Sequence, residues 1–205
     1  MTAPVQVVLA SHNAKKLIEL NRVLGPLVPG IEFIGYDGPE PVENGTSFEA
    51  NSLLKARAAA AHTGMPAVAD DSGITVDLLG GCPGIFSARW AGPERSDRAN
   101  LELLLWQLSD LPEPEHRAAA FVCAASLVLP DGTETVERGT WPGLVRTEAF
   151  GDGGFGYDPI FQPEGETRSA AELTSAEKDR DSHRTRAFTR LVPALTALAA
   201  AGQGD

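Results

Sequence analysis

The chain has 205 residues, 42% of them hydrophobic and 6% aromatic, and this composition predicts one globular domain, residues 1–205, with a sizeable core. Its 28 acidic and 17 basic residues give a formal net charge of -11, which excludes a nucleic-acid polymer as the expected partner because polymer binding needs many Lys and Arg contacts to phosphates. Two cysteines are too few for a disulfide framework.

The apolar segments are short. Val5–Ala10 is far shorter than the hydrophobic region of a signal peptide, and no segment is long enough to span a membrane. Together with the two thiols, this predicts a cytoplasmic protein without a membrane partner.

The first third of the chain alternates between strand and helix patterns. Val5–Ala10 predicts a buried strand, the helical spacing of Leu17, Leu20 and Leu24 predicts a helix, and Ile31–Ile34 predicts a second strand. This alternation is typical of an α/β fold.

A long helix is predicted next. Thr46 and Glu49 have the spacing of a capping box, and the Ala-rich segment that follows extends to His62 before Gly64 ends it. The short apolar strand 67–69 then enters Asp70-Asp71.

The second half predicts a helix from Ser96 to about Leu108, a hairpin of 121–129 and 133–138, and one final helix. The apolar face of that helix carries Phe188, Leu191, Val192, Leu195 and Leu198. Alternating elements followed by a hairpin predict an α/β fold with a mixed central β-sheet and flanking helices. Two lobes around a cleft are compatible with this pattern.

Two polar groups are suited to bind an anion. Ser11, Asn13 and Lys16 follow a strand and open a helix, where free amides and the helix dipole favour phosphate. Asn51 and Lys55 are four residues apart, so they share a helix face. The alternatives are a helix cap with a solvated lysine and an ordinary surface pair.

Asp70 and Asp71 are the candidate acidic centre. If the chain is extended there, their carboxylates point to opposite sides, one toward a site and the other toward the structure. A solvated turn is the alternative. A phosphatase with an Asp-x-Asp motif is disfavoured, because its acids alternate and these are adjacent.

The segment Gly151–Gly156 formally matches a dinucleotide-binding pattern, but the proline after Asp158 interrupts the position where a helix should begin. A loop whose backbone donors approach a ligand, with Phe155 stacked on its ring, fits better. A Gly-rich turn with core aromatics is the alternative. His183 and Arg184 either contact a ligand or brace the last helix.

Taken together, these motifs resemble the inosine triphosphate pyrophosphatase (Ham1-like) family over nearly the whole chain, from residue 7 to about residue 195. The segments that carry the resemblance are Ser11-His12-Asn13-Ala14-Lys15-Lys16, Lys55-Ala56-Arg57, Ala69-Asp70-Asp71-Ser72-Gly73, Leu79-Gly80-Gly81 with Pro83-Gly84, Ser87-Ala88-Arg89, Gly153-Gly154-Phe155-Gly156-Tyr157-Asp158-Pro159, Ala171-Glu172-Leu173 and Ser182-His183-Arg184.

The resemblance implies a two-lobed α/β homodimer that uses Mg²⁺ to cleave XTP, ITP and dITP to the monophosphate and pyrophosphate. By motif position, Ser11, Asn13, Lys16 and Lys55 would hold the triphosphate, with Ser72 beside them, and Asn51 would join them from the helix face it shares with Lys55. Asp71 would bind metal or activate water with support from Asp70, and Lys55 would assist catalysis. The base and sugar would meet Phe155, Gly156, Tyr157, Asp158, Lys178, His183 and Arg184.

The chain departs from this family at Ala50, where members usually carry an acidic metal ligand. Glu49 lies one residue earlier and is rotated by about 100° on an ideal helix, so it serves as a ligand only if the helix start shifts. Two other functions stay open: a purine nucleotide binder or sensor with weak turnover, and a related hydrolase with a different base preference.

Overall fold

The computed structural model describes residues 3–202, which contain six strands and six α-helices joined by loops and short 3-10 helices. In chain order they are β1 (Val5–Leu9), α1 (Ala14–Leu24), β2 (Ile31–Ile34), α2 (Phe48–Thr63), β3 (Ala67–Val76), α3 (Asp97–Gln107), β4 (Ala118–Val128), β5 (Glu134–Val145), β6 (Phe161–Pro163), α4 (Ser175–Asp181), α5 (His183–Arg190) and α6 (Val192–Ala201).

The strands form one six-stranded sheet in the order β2-β1-β3-β4-β5-β6. β1 pairs in parallel with β2 and with β3, whereas β5 and β6 are antiparallel. The sheet is therefore mixed and flanked by helices, which confirms the predicted fold class. No helix within residues 3–202 is long and apolar enough to cross a membrane.

The chain divides into two compact units. The first comprises the chain up to Asp71, Cys123–Gly139 and the segment from Arg184 onward, and the second comprises Ser72–Val122 and Thr140–His183. Each unit has an apolar core of its own. The resemblance implied two lobes; the single domain and the cleft remain predictions.

The core of the first unit forms where the predicted periodicities placed it. Leu20 and Leu24 of α1 pack with Val7 and Leu9 of β1. Cys123 is fully buried in the same cluster, and burial raises the pKa of its thiol. This thiol is therefore an inert core group.

The start of α2 differs by one residue from the predicted capping box. Ser47, not Thr46, is the N-cap, and its Oγ accepts a hydrogen bond of 3.1 Å from the amide of Ala50. Glu49 forms an ion pair of 3.3 Å with Arg138 and does not complete a box. The predicted end is confirmed, because Gly64 adopts the left-handed conformation with φ of 67°.

The predicted final helix is in fact two helices, α5 and α6, with Leu191 between them. Pro193 occupies the first turn of α6. Proline lacks an amide hydrogen and its ring clashes with the carbonyl four residues earlier, so a continuous helix is interrupted there. Phe188, Leu191 and Leu195 are nevertheless all buried in the first core, as the apolar spacing predicted.

Candidate functional site

Asp70 and Asp71 lie in the middle of β3, which runs unbroken from Ala67 to Val76. The predicted strand end at this point is wrong, because β3 continues to Val76 beside β4 after its pairing with β1 at Ala67 and Val68. The expected difference between the two carboxylates is found: Asp70 is buried, Asp71 is half-buried, and their hydrogen-bond partners differ. That Asp71 faces a site stays a prediction.

Asp70 is the centre of a buried ion cluster. Lys16 Nζ lies 2.9 Å from its Oδ1 and 3.1 Å from its Oδ2, and Nε and Nη2 of Arg184 each lie 3.3 Å from Oδ2. Arg184 Nη1 also donates to Glu19 at 3.2 Å. Burial alone would raise the pKa of Asp70, but the charges of Lys16 and Arg184 outweigh it and hold that pKa far below the usual range.

Asp71 has a second set of partners on α2 and the loop before it. Its carboxylate accepts hydrogen bonds from Asn51 Nδ2 at 3.2 Å and Lys55 Nζ at 3.4 Å. Lys55 also pairs with Glu43 at 2.7 Å, and Asn51 Oδ1 accepts from the amide of Gly45 at 2.8 Å. The predicted helix face of Asn51 and Lys55 is thus directed at Asp71.

Burial raises the pKa of Asp71, and the nearby charge of Glu43 raises it further against the opposing charge of Lys55. The pKa of Lys55 is also raised, because Asp71, Asp70 and Glu43 outweigh the effect of its burial. The sequence did not predict that Glu43 belongs to this group of charges. It stands in a loop rich in Gly and Pro, where no periodicity links it to α2 or β3.

Ser11 and Asn13 are placed at the start of α1. Asn13 is the N-cap, and its Oδ1 accepts from the amide of Lys15 at 3.0 Å, while Ser11 Oγ accepts from the amide of Asn13 at 3.2 Å. These bonds match the capping alternative. The phosphate role of both residues stays a prediction.

In the second unit, Asp158 organises the Gly-rich loop. Its buried carboxylate accepts from the amide of Phe155 at 2.8 Å and from Lys178 Nζ at 2.6 Å. Gly154 has φ of 74°, and a Cβ there would collide with this carboxylate. Phe155 itself is 63% exposed, and Lys178 Nζ lies 5.8 Å from the centroid of its ring.

The following residues hold the loop to the rest of the unit. Gly156 donates its amide to Asp97 Oδ2 at 3.1 Å, and the hydroxyl of Tyr157 donates to the carbonyl of Ser87 at 2.8 Å. Tyr157 is buried, and burial together with the charge of Asp97 raises its pKa. Tyr157 is therefore a core residue under the loop, and Asp97 is a second contact that the sequence did not reveal.

His183 also packs in the second unit. Its ring stacks on Phe121 with centroids 4.9 Å apart and on Trp141 with centroids 6.5 Å apart. Ser72 follows Asp71 in β3 and is partly exposed.

The candidate metal-binding carboxylates, Asp71, Glu43 and Glu49, are each paired with a cation. No group of three or more His, Cys, Asp or Glu side chains in the described part of the chain is arranged to hold a metal ion. Asp71 and Glu43 share Lys55, whereas the carboxylate of Glu49 is paired with Arg138.

Comparison with known proteins gives consistent matches over nearly the full length. The family model of the Ham1 family matches residues 7–194. A dITP/XTP pyrophosphatase of Leifsonia xyli subsp. xyli is 57% identical over 198 residues, which cover 97% of this chain and 99% of that protein.

Solved structures agree. A HAM1 protein from Coxiella burnetii superimposes with a TM-score of 0.86 at 38% identity, covering 94% of this chain and 99% of the other. The nucleoside-triphosphatase, or dITP/XTP pyrophosphatase, of Mycobacterium abscessus gives 0.76 at 50% identity, covering 92% and 100%.

Proposed function

The chain belongs to the Ham1 family, and on that premise we propose that it hydrolyses XTP, ITP and dITP to the nucleoside monophosphate and pyrophosphate, which keeps these non-standard purines out of DNA and RNA. The observation that carries the proposal is the pair of adjacent aspartates on β3. Asp70 pairs with Lys16 and Asp71 pairs with Lys55, so each carboxylate holds one ammonium group within the first unit.

The reaction needs positive charge for the phosphates and an oriented water. Lys16 and Lys55 would stabilise charge on phosphoryl oxygens, with Ser11, Asn13, Asn51 and Ser72 as further phosphate contacts. Asp71 would orient the attacking water, since its half-buried carboxylate is held by Asn51 on one oxygen and by Lys55 on the other. Asp70 is buried and would support the site by holding Lys16.

Mg²⁺ is the proposed cofactor. Asp71 and Glu43 would hold it together with phosphate oxygens and water, a set that suits a hard cation which commonly keeps several waters. When bound, the ion neutralises charge on the phosphates. Glu49 is the weaker candidate because its carboxylate pairs with Arg138, whereas Glu43 contacts the same ammonium group of Lys55 as Asp71 does.

A Mg²⁺ titration tests this assignment. Glu43→Gln should raise the Mg²⁺ concentration for half-maximal activity, whereas Glu49→Gln, with the same charge change, should have little effect. The reverse order of the two variants would identify Glu49 as the ligand.

The Gly-rich loop would receive the base. Phe155 is exposed and would stack on the ring, while the amides of Phe155 and Gly156 already donate to carboxylates. The ammonium group of Lys178 has three donors, of which one contacts Asp158, so it would serve an acceptor at purine position 6. Tyr157 would support this loop from beneath through its hydrogen bond to Ser87, while His183 is stacked on Phe121 and Trp141.

This arrangement favours a 6-oxo purine over ATP, whose 6-amino group is a donor. Pyrophosphate release from ITP with Mg²⁺, compared with ATP at equal concentration, tests both the reaction and the selectivity. Equal turnover of the two would refute the base assignment. Tight binding of ITP without release would indicate the binder alternative, which the names of the relatives do not favour.

We further propose a cytoplasmic homodimer, as family membership implies. Light scattering should give a solution mass of 43.2 kDa, twice the 21.6 kDa of one chain. A mass of one chain at micromolar concentration would contradict it.

A further inference from the structure

The buried cluster around Asp70 suggests a role for Arg184 that differs from recognition of the base. Arg184 has only 10% of its side chain exposed, and its guanidinium spans two carboxylates, with Nε and Nη2 on Asp70 and Nη1 on Glu19. A planar guanidinium held on two edges cannot turn toward another ligand without leaving both anions.

The cluster contains charges of both signs. Lys16 and Arg184 supply two cations, and Asp70 and Glu19 supply two anions. Removing one member of such a buried group leaves an uncompensated charge, which is far more costly than loss of a surface pair. Each member therefore constrains the position of the next.

The contacts form a chain whose buried middle, Asp70 and Arg184, lies between two partly exposed ends, because the side chain of Glu19 is 27% exposed and that of Lys16 is 29% exposed. Glu19 contacts Arg184, Arg184 contacts Asp70, and Asp70 contacts Lys16. The side chain of Asp70 is 2% exposed, whereas solvent reaches the ammonium group of Lys16 at one end of the chain. A lysine side chain is otherwise flexible, and fixing it in advance lowers the entropic cost of binding an anion.

We propose that Arg184 is a positioning residue of the phosphate-binding group: together with Glu19 it fixes the carboxylate of Asp70, and Asp70 fixes the ammonium group of Lys16 for the triphosphate. The inference rests on the proposed function, because the triphosphate is the substrate group that Lys16 would meet.

Inorganic tripolyphosphate is the probe, since it has neither base nor sugar. Its dissociation constant is measured by calorimetry without divalent metal, which prevents turnover, for the wild type, Glu19→Gln, Lys16→Met and the double variant. We expect Glu19→Gln to weaken binding about 5-fold when Lys16 is present and less than about 2-fold when Lys16 is Met, the coupling expected of residues in one network. Glu32→Gln, which removes an exposed carboxylate on β2, is the matched control.

The variant Arg184→Lys distinguishes a role in positioning Lys16 from a role in binding the base. A positioning residue predicts that this variant weakens tripolyphosphate and ITP by the same factor. A base-binding residue predicts weaker ITP with unchanged tripolyphosphate, and that result would overturn the inference. Glu19→Gln provides an independent test if Arg184→Lys does not fold.

The remaining outcomes are also decisive. Additive effects of Glu19→Gln and Lys16→Met, or failure of the wild type to bind tripolyphosphate, would overturn the inference. Coupled binding of tripolyphosphate in a protein that releases no pyrophosphate from ITP would support the inference and refute the proposed function, so the two failures are distinguishable.

Discussion

Replacement of Lys55 by Met removes one charge and keeps the length of the side chain. Its ammonium lies 2.7 Å from Glu43 and 3.4 Å from Asp71, and only 17% of the side chain is exposed. A hydrogen bond to a charged group contributes about 1.5–3 kcal/mol, so losing one to the phosphates should lower kcat/KM for ITP about 10- to 150-fold. The assay is pyrophosphate release at saturating Mg²⁺.

The control is Lys15→Met, which makes the same change at an exposed position of α1. Because Lys55→Met also leaves the carboxylates of Glu43 and Asp71 without their shared cation, the melting temperatures of both variants are measured in parallel. If folded Lys55→Met matches Lys15→Met within about twofold, Lys55 does not contact the phosphates and the reasoning fails.

Three further changes probe separate features. Asp71→Asn should lower kcat at least about 100-fold with an unchanged circular dichroism spectrum, since it removes the charge that orients water; near wild-type kinetics would remove Asp71 from the mechanism. Gly154→Ala adds about 1–2 kcal/mol of left-handed strain and a collision with Asp158, so KM for ITP should rise, and an unchanged KM would show that the loop does not hold the substrate. Arg117→Met should lower the free energy of unfolding by at least about 3 kcal/mol in urea, because the buried guanidinium donates to four backbone carbonyls at 2.6–2.9 Å; a loss below about 1 kcal/mol would contradict this.

Local sequence signals were sufficient where a single element decides the outcome. The apolar spacing of Leu20 and Leu24 determined the buried face of α1, and Gly64 determined the end of α2 because it adopts the left-handed conformation at no steric cost. Thr174 and Glu177 have the three-residue spacing of a capping box, and this box forms at the start of α4. In each case the sequence signal lies within fewer than six consecutive residues.

Signals of similar strength failed where a neighbouring residue offered a competing contact. Ser47 is the N-cap in place of Thr46, so the residue three positions on is Ala50, which has no carboxylate. Glu49 pairs instead with Arg138, 89 residues away. Pro193 ended a helix whose apolar periodicity continued through it. Apolar periodicity records which face is buried, whereas the chain path also depends on backbone hydrogen bonding.

The sequence by itself determined the family, the mixed α/β fold and the residue types of the site, because these follow from local patterns and from motifs in a fixed order. The partners of each charge were decided only by the tertiary structure. Arg184 meets Asp70 across 114 positions and Lys16 meets it across 54, and Glu43 joins Lys55 from a loop without periodicity. Such ion pairs form because folding brings distant strands and helices together, and because an unpaired charge is costly to bury. A local sequence pattern contains no information about which distant charge will be the partner.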